Sequence, residues 1–237
     1  MNTHFLRGMR HGIPICLGYL SVSFGFGIVA VKSGLSVLTS VIISMTNLTS
    51  AGQAAGVAII AAGGTLFEMA LTQLVINLRY ALMAMSLSQK LDASFNSAHR
   101  MAVSFGITDE IFAMAVAQPG CLTPPYMYGL ILISFLGWTA GTALGAAAGE
   151  LLPAALKDAM GIVLYGMFLA IIIPPAKKVR SVLLVVLLAA LISTALTFLL
   201  PMISGGFVII LSAVAAAVAG AFLFPMRFED EEEEEAA

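Results

Sequence analysis

Two adjacent carboxylates, Asp109 and Glu110, sit inside an apolar run from Met101 to Gln118. A charge such as Asp at the centre of a membrane helix costs about 2.5–3.5 kcal/mol on insertion scales, so such residues face a bundle interior, pair, or mark a solute or proton path. Gly106 and Thr108 stand beside them. The preceding apolar run carries Glu68, Thr72, Gln73, Asn77 and Arg79. Glu68 and Arg79 return to nearly the same helix face about three turns apart, so they cannot touch and each needs another partner. Arg79 is the natural partner for Asp109 or Glu110, as part of a solute path or as a structural ion pair. A third polar group, Thr46, Asn47, Thr49, Ser50, Gly52 and Gln53, lies at the centre of the run from Val37 to about Ala62. Ser, Thr and Asn compete with the helix for backbone hydrogen bonds, and Gly weakens it, which predicts a break. Irregular backbone at membrane depth is tolerated where protein buries it or where it lines a wet cavity, and broken helices form substrate sites in secondary transporters. The alternative is an intact helix whose small polar residues bond neighbouring helices.

Other chemistries lack their groups. The histidines, His4, His11 and His99, lie outside the expected spans, and neither a Gly-x-Ser-x-Gly elbow nor a His-Glu-x-x-His pair is present. There is no P-loop, so nucleotide hydrolysis within this chain would not drive transport. Cys16 and Cys121 make neither a disulfide framework nor metal-ligand spacing. These absences exclude the familiar intramembrane hydrolases and point to movement of a small polar solute. No cofactor is implied.

The elements that must position these groups are membrane helices. Of the 237 residues, 60% are hydrophobic and 10% charged, against roughly 25% charged in soluble domains. A water-soluble fold of this composition would expose most of its apolar residues. The net charge of −2 is set by the acidic stretch 229–235, so residues 1–227 form a net-positive permease domain and residues 228–237 an acidic, disordered tail. No Lys/Arg stripe with interleaved aromatics points to nucleic acid.

At roughly 20 apolar residues per span, the chain reads as an all-α polytopic bundle of about seven or eight spans, at least one broken or re-entrant. The expected spans are 13–31, 37–62, 65–87, 101–118, 126–149, 153–173, 181–200 and 203–224. Pro119, Pro124, Pro125, Pro174, Pro175, Pro201 and Pro225 interrupt helices between them. The first span follows Arg7, Arg10 and His11 with no small-x-small cleavage site and is retained. With eight crossings, Arg7 and Arg10 share a side with Lys177, Lys178 and Arg180, which makes both termini cytoplasmic, whereas Lys90 and Arg100 fall outside.

Gly137, Gly141, Gly145 and Gly149 recur at every fourth position of the fifth span, the small-xxx-small pattern that brings another helix close, from this chain or another subunit. Ser21, Ser23, Gly25 and Gly27 point to close packing of the first span. Trp138 reads as core packing, and Glu150 and Asp158 as interfacial.

Several stretches resemble one known family. They are Pro14 with Phe24-Gly25, Ser50-Ala51-Gly52-Gln53, Asn77-Leu78-Arg79 followed by Ser86-Leu87, and above all Gly106-Ile107-Thr108-Asp109-Glu110-Ile111-Phe112-Ala113. Over about residues 8 to 225 the chain resembles the AzlC family, the large subunits of bacterial branched-chain amino acid exporters. The resemblance implies a permease in the bacterial cytoplasmic membrane that works with a small AzlD-like membrane subunit. It also implies a substrate such as leucine, isoleucine or valine, and coupling to a proton or ion gradient. Tyr80 stands where the family often has His, and Tyr165-Gly166 precede Met167-Phe168 where Pro-Ala is frequent. On this basis Asn47, Ser50, Gly52, Gln53, Glu68, Asn77, Arg79, Thr108, Asp109 and Glu110 are the expected substrate and ion pathway. The broken second span and Arg79 would hold a carboxylate, and Asp109 or Glu110 an ammonium or a proton. A passive channel and a non-transporting scaffold subunit are the alternatives.

Overall fold

The computed structural model of the chain describes residues 3–151, 153, 166, 169 and 172–225. Among these residues every regular element is a helix: α1 Thr3–Lys32, α2 Val37–Thr46, α3 Ser50–Ala61, α4 Leu66–Ser88, α5 Ser97–Phe105, α6 Asp109–Val116, α7 Pro124–Leu151, α8 Arg180–Leu199 and α9 Gly205–Leu223. A lone bridge, Leu91 with Leu122, is the one extended pairing described. Five of these helices, α1, α4, α7, α8 and α9, are long and apolar enough to cross a membrane. The protein is a multi-pass membrane protein.

One expected span breaks where its sequence predicted a break, and a second breaks where none was expected. The run 37–62 is not one helix, because its polar centre takes the backbone out of helical geometry at Asn47 and Thr49. The run 101–118 is likewise two short helices, interrupted from Gly106 to Thr108. Pro174 and Pro175 do not stop a helix: residues 172–178 are helical and Val179 N still donates to Pro175 O at 2.9 Å. Proline removes a donor but keeps its acceptor, and membrane helices tolerate that loss. Most of the expected sixth span, with Asp158, and the acidic tail lie outside the described residues.

The chain forms two compact units: residues 1–63 with 76–167, and residues 64–75 with 168–237. In the first, α1 and α7 run parallel. Gly129 sits against Phe5, Gly137 against Cys16, Gly145 against Phe24 and Gly149 against Ile28, in rising order on both helices. The glycine repeat of α7 therefore meets another helix of the same chain. Gly8, Gly12 and Gly27 of α1 return the favour against Tyr126, Leu130 and Ala146. At each of these α1 positions a Cβ would overlap backbone or packed side-chain atoms, so backbone approach replaces side-chain packing.

Each short pair folds back on itself against this α1–α7 frame. Gln53 Nε2 of α3 donates to Ser44 Oγ of α2 at 2.8 Å. Val57, further along α3, packs with Phe26, Ala30 and Leu35, the residues near the end of α1 where α2 begins. In the other pair, His99 Nδ1 near the start of α5 lies 2.8 Å from Tyr128 Oη in the first turns of α7. The end of α6 returns to the same place: Lys90 Nζ donates to the carbonyls of Val116 and Gln118, and Arg7 Nη2 donates to Gln118 Oε1 at 2.9 Å. Lys90 thus lies at the same end of this unit as Arg7, not opposite it. The expectation of opposite ends counted 37–62 as one straight crossing between them.

In the second unit, Glu68 caps α9. Ser204, at the N-cap position, makes no cap bond of its own and donates its hydroxyl to Glu68 Oε1, which also accepts from Gly206 N at 3.0 Å. A carboxylate at a helix start satisfies amides that lack intrahelical partners. Gly206 allows the approach, since a Cβ there would lie 2.5 Å from Glu68 Oε1. Gly220 of α9 packs on Val185 of α8.

Candidate functional site

The tips of the two short pairs come together inside the first unit, and their caps explain why each breaks there. Thr49 Oγ1 accepts from Gly52 N at 3.3 Å at the start of α3. Thr108 Oγ1 accepts from Ile111 N at 3.4 Å at the start of α6. A capping hydroxyl satisfies an orphan amide and fixes non-helical backbone at its own position. Asn47 closes α2, its amide donating to Ile43 O. Two helix N-termini, each a positive dipole end, therefore face one region.

The charges gather there. Arg79 Nη1 of α4 pairs with Asp109 Oδ2 at 2.9 Å. Arg79 also lies over the Tyr80 ring, 5.2 Å from its centroid. Tyr19 of α1 donates its hydroxyl to Glu110 Oε2 at 2.6 Å and is also hydrogen-bonded to Thr108 Oγ1. With both acids ionised, two carboxylates against one guanidinium leave a single negative charge. Tyr19, Leu48, Ser50, Tyr80, Thr108, Asp109, Glu110 and Trp138 surround a space of only about 10 Å³. The side chains themselves nearly fill it. Leu48 and Tyr80 also form the wall of a neighbouring hollow of about 190 Å³, which Thr46, Asn47, Thr49, Asn77 and Ser104 make polar. At about 30 Å³ per water this is room for on the order of six waters.

Not every expected residue belongs to the hollow. Asn47 and Asn77 line it; Ser50, Thr108, Asp109 and Glu110 line the smaller space, with Arg79 paired at its edge. Gly52 serves the α3 cap. Gln53, 1% exposed, is held in a buried network: Trp138 Nε1 donates to its Oε1 at 2.9 Å, its own amide donates to Ser44, and Ser44 bonds Thr142 at 2.6 Å. It joins α2, α3 and α7 and fixes where the α3 tip sits. Glu68 makes its bonds in the second unit.

Sequence reasoning missed Tyr19, a lone phenol amid apolar residues of the first span, and gave Trp138 no polar partner. Trp138 also stacks edge-on with Tyr19 at 5.1 Å. A buried indole N–H or phenol O–H usually has a partner, and that was the available signal. Among the described residues no group of three His, Cys, Asp or Glu side chains could hold a metal ion.

Comparison with known proteins gives one family. The model of the AzlC protein family matches residues 14–152, more than half of the chain. The chain is 30% identical over 184 residues to the inner membrane protein YgaZ of Escherichia coli, covering 75% of each chain. It is 31% identical over 175 residues to an uncharacterized membrane protein of Archaeoglobus fulgidus, covering 73% of this chain and 76% of the relative. No solved structure matches.

Proposed function

Because the chain belongs to the AzlC family, we propose that it is the permease subunit of a secondary transporter that exports branched-chain or related amino acids across the bacterial cytoplasmic membrane. A small AzlD-like membrane protein is its partner, and a proton or ion gradient its energy source. The substrate class, direction and partner come from the resemblance of the motifs. The observation that carries a transport role is the meeting of two broken helix pairs beside Arg79, Asp109 and Glu110, next to a polar hollow. Charges at membrane depth are costly, and where they gather they commonly mark a solute or proton path. A zwitterion needs two opposite groups: the start of α3 with Arg79 for the carboxylate, and the surplus negative charge of Asp109 and Glu110 for the ammonium or a proton. The space around Tyr19, about 10 Å³ and so too small for a solute, favours a gated carrier over an open channel. The chain and its partner in proteoliposomes are expected to show saturable flux of labelled leucine that responds to an imposed gradient. Absence of flux with the partner present would remove the transport reading, and unsaturable, gradient-independent flux would turn it into a channel.

In the membrane, α2–α3 and α5–α6 are read as re-entrant hairpins that dip in from opposite faces. Val57 lies by the end of α1, while Val116 and Gln118 lie by its beginning. A helix followed by a hairpin then occurs twice with opposite direction, the inverted-repeat plan of many secondary transporters. Arg7, Arg10, Lys90 and Arg100 then share one end, with Lys32 at the other, and the positive-inside bias makes the Arg7 end cytoplasmic. In a variant lacking Cys16 and Cys121, Ser33→Cys and Ala62→Cys are expected to react with an impermeant maleimide from the same side, and Asn96→Cys from the other. Labelling of Ser33→Cys and Ala62→Cys from opposite sides would mean that α2–α3 crosses the membrane.

A further inference from the structure

We propose that a groove along the first turns of α1 is a binding site for one anionic phospholipid, with its phosphate at Arg7 and Arg10 and an acyl chain beneath. Thr3, Leu6, Arg7, Arg10 and Ile13 recur at three- and four-residue spacing, so they share one helix face. With Met9, His11 and Ile133 of α7 they line a hollow of about 590 Å³. Its polarity is graded. The guanidinium groups lie at the first turns, and Ile13 and Ile133 lie inward, Ile13 about 9 Å of helix rise beyond Arg7. Gly12 removes the side chain that would otherwise meet Ile133, so α1 and α7 sit close and the groove follows their seam.

The charge at this end is one-sided. Arg7, Arg10 and Lys90 gather here with Asp92 the nearby acid, and neither arginine has a carboxylate partner among the described ion pairs. Arg7 spends one of its donors on Gln118 Oε1, which orients the guanidinium and leaves the rest of its fork for an oxyanion. Guanidinium and phosphate match in a bidentate geometry that zwitterionic headgroups offset with their own cation. A soluble anion would use the arginines alone. The apolar wall below them selects a lipid.

The test is the thermal unfolding midpoint of the full chain in detergent, titrated with phosphatidylglycerol, phosphatidylcholine or inorganic phosphate. Phosphatidylglycerol is expected to stabilise saturably, phosphatidylcholine at least tenfold more weakly, and phosphate not at all. Arg7→Gln with Arg10→Gln should weaken the phosphatidylglycerol effect roughly 30-fold, as loss of two interfacial cations implies. Arg10→Gln alone, at an exposed position, keeps the test valid if the pair fails to fold. Ile133→Trp, which fills the apolar part, should also weaken it, while Lys177→Gln with Lys178→Gln should not. An equal response to phosphatidylcholine, an equal response to phosphate, or unchanged titration of both arginine variants would overturn the proposal.

Discussion

Asp109→Asn should abolish gradient-driven leucine flux and leave the protein folded. The two halves of this expectation rest on different magnitudes. The side chains of Arg79 and Asp109 are 41% and 33% exposed, so their 2.9 Å contact is partly wetted. Ion pairs of that kind contribute about 0–1 kcal/mol to stability, so the melting midpoint should move by no more than about 2–4 °C for a chain of this size. Transport draws on the charge itself. The substitution preserves shape but leaves Arg79 and Glu110 balanced, with no net negative charge for an ammonium or a proton. Once a bound solute displaces that water, loss of its charged partner costs about 2–5 kcal/mol in binding, a loss of roughly 30-fold or more in flux at limiting substrate. Flux in proteoliposomes and the melting midpoint in detergent decide it together. Undiminished flux from normally folded Asp109→Asn would remove the residue from the pathway.

The glycine repeat of α7 should respond very unevenly to one methyl group. A Cβ on Gly145 would overlap Phe24 O, and one on Gly141 would lie 2.4 Å or less from Leu20 O and Ser23 Oγ. Backbone cannot yield as a flexible side chain can, so Gly145→Ala must push α1 and α7 apart. Overpacking of a tight core costs typically 1–3 kcal/mol and occasionally more. Here a displaced helix also loosens the Gln53–Trp138 network, so we expect the upper end or failure to accumulate. Gly149 ends the same repeat, yet its nearest neighbour would be Ile28 Cα at an ordinary 3.6 Å. Gly149→Ala should therefore be neutral or stabilising by up to about 1 kcal/mol, since Ala is the better helix former. Yield and melting midpoint of the two variants measure this, and equal behaviour would sink the packing account.

The sequence allowed much of this to be read, and the failures have physical causes. Apolar length identified α1, α4, α7, α8 and α9, because a bilayer imposes its thickness on any helix that crosses it. The break in 37–62 was legible because six polar or flexible residues cluster from Thr46 to Gln53. The break in 101–118 left an equally good sign, Thr108 ahead of two acids, the pattern of a capped helix start. There the apolar run was of crossing length, and length outweighed the cap. That Arg79 meets one of the two acids followed from charge alone; that it is Asp109, with Glu110 taken by Tyr19, did not. Tyr19 and the role of Gln53 did not follow, because partners 89 and 85 residues away along the chain are set by tertiary packing.

The parallel seam of α1 and α7 has a consequence for how the protein is made. His11 and its partner Tyr126 are separated by 115 residues. At roughly 5–20 residues per second, synthesis would deliver α7 many seconds after α1. Over that interval α1 carries a strip of bare backbone whose partner in α7 has yet to be made. The insertion machinery or a neighbouring chain must shelter that strip until its mate arrives, so α1 is made well before its packing is finished.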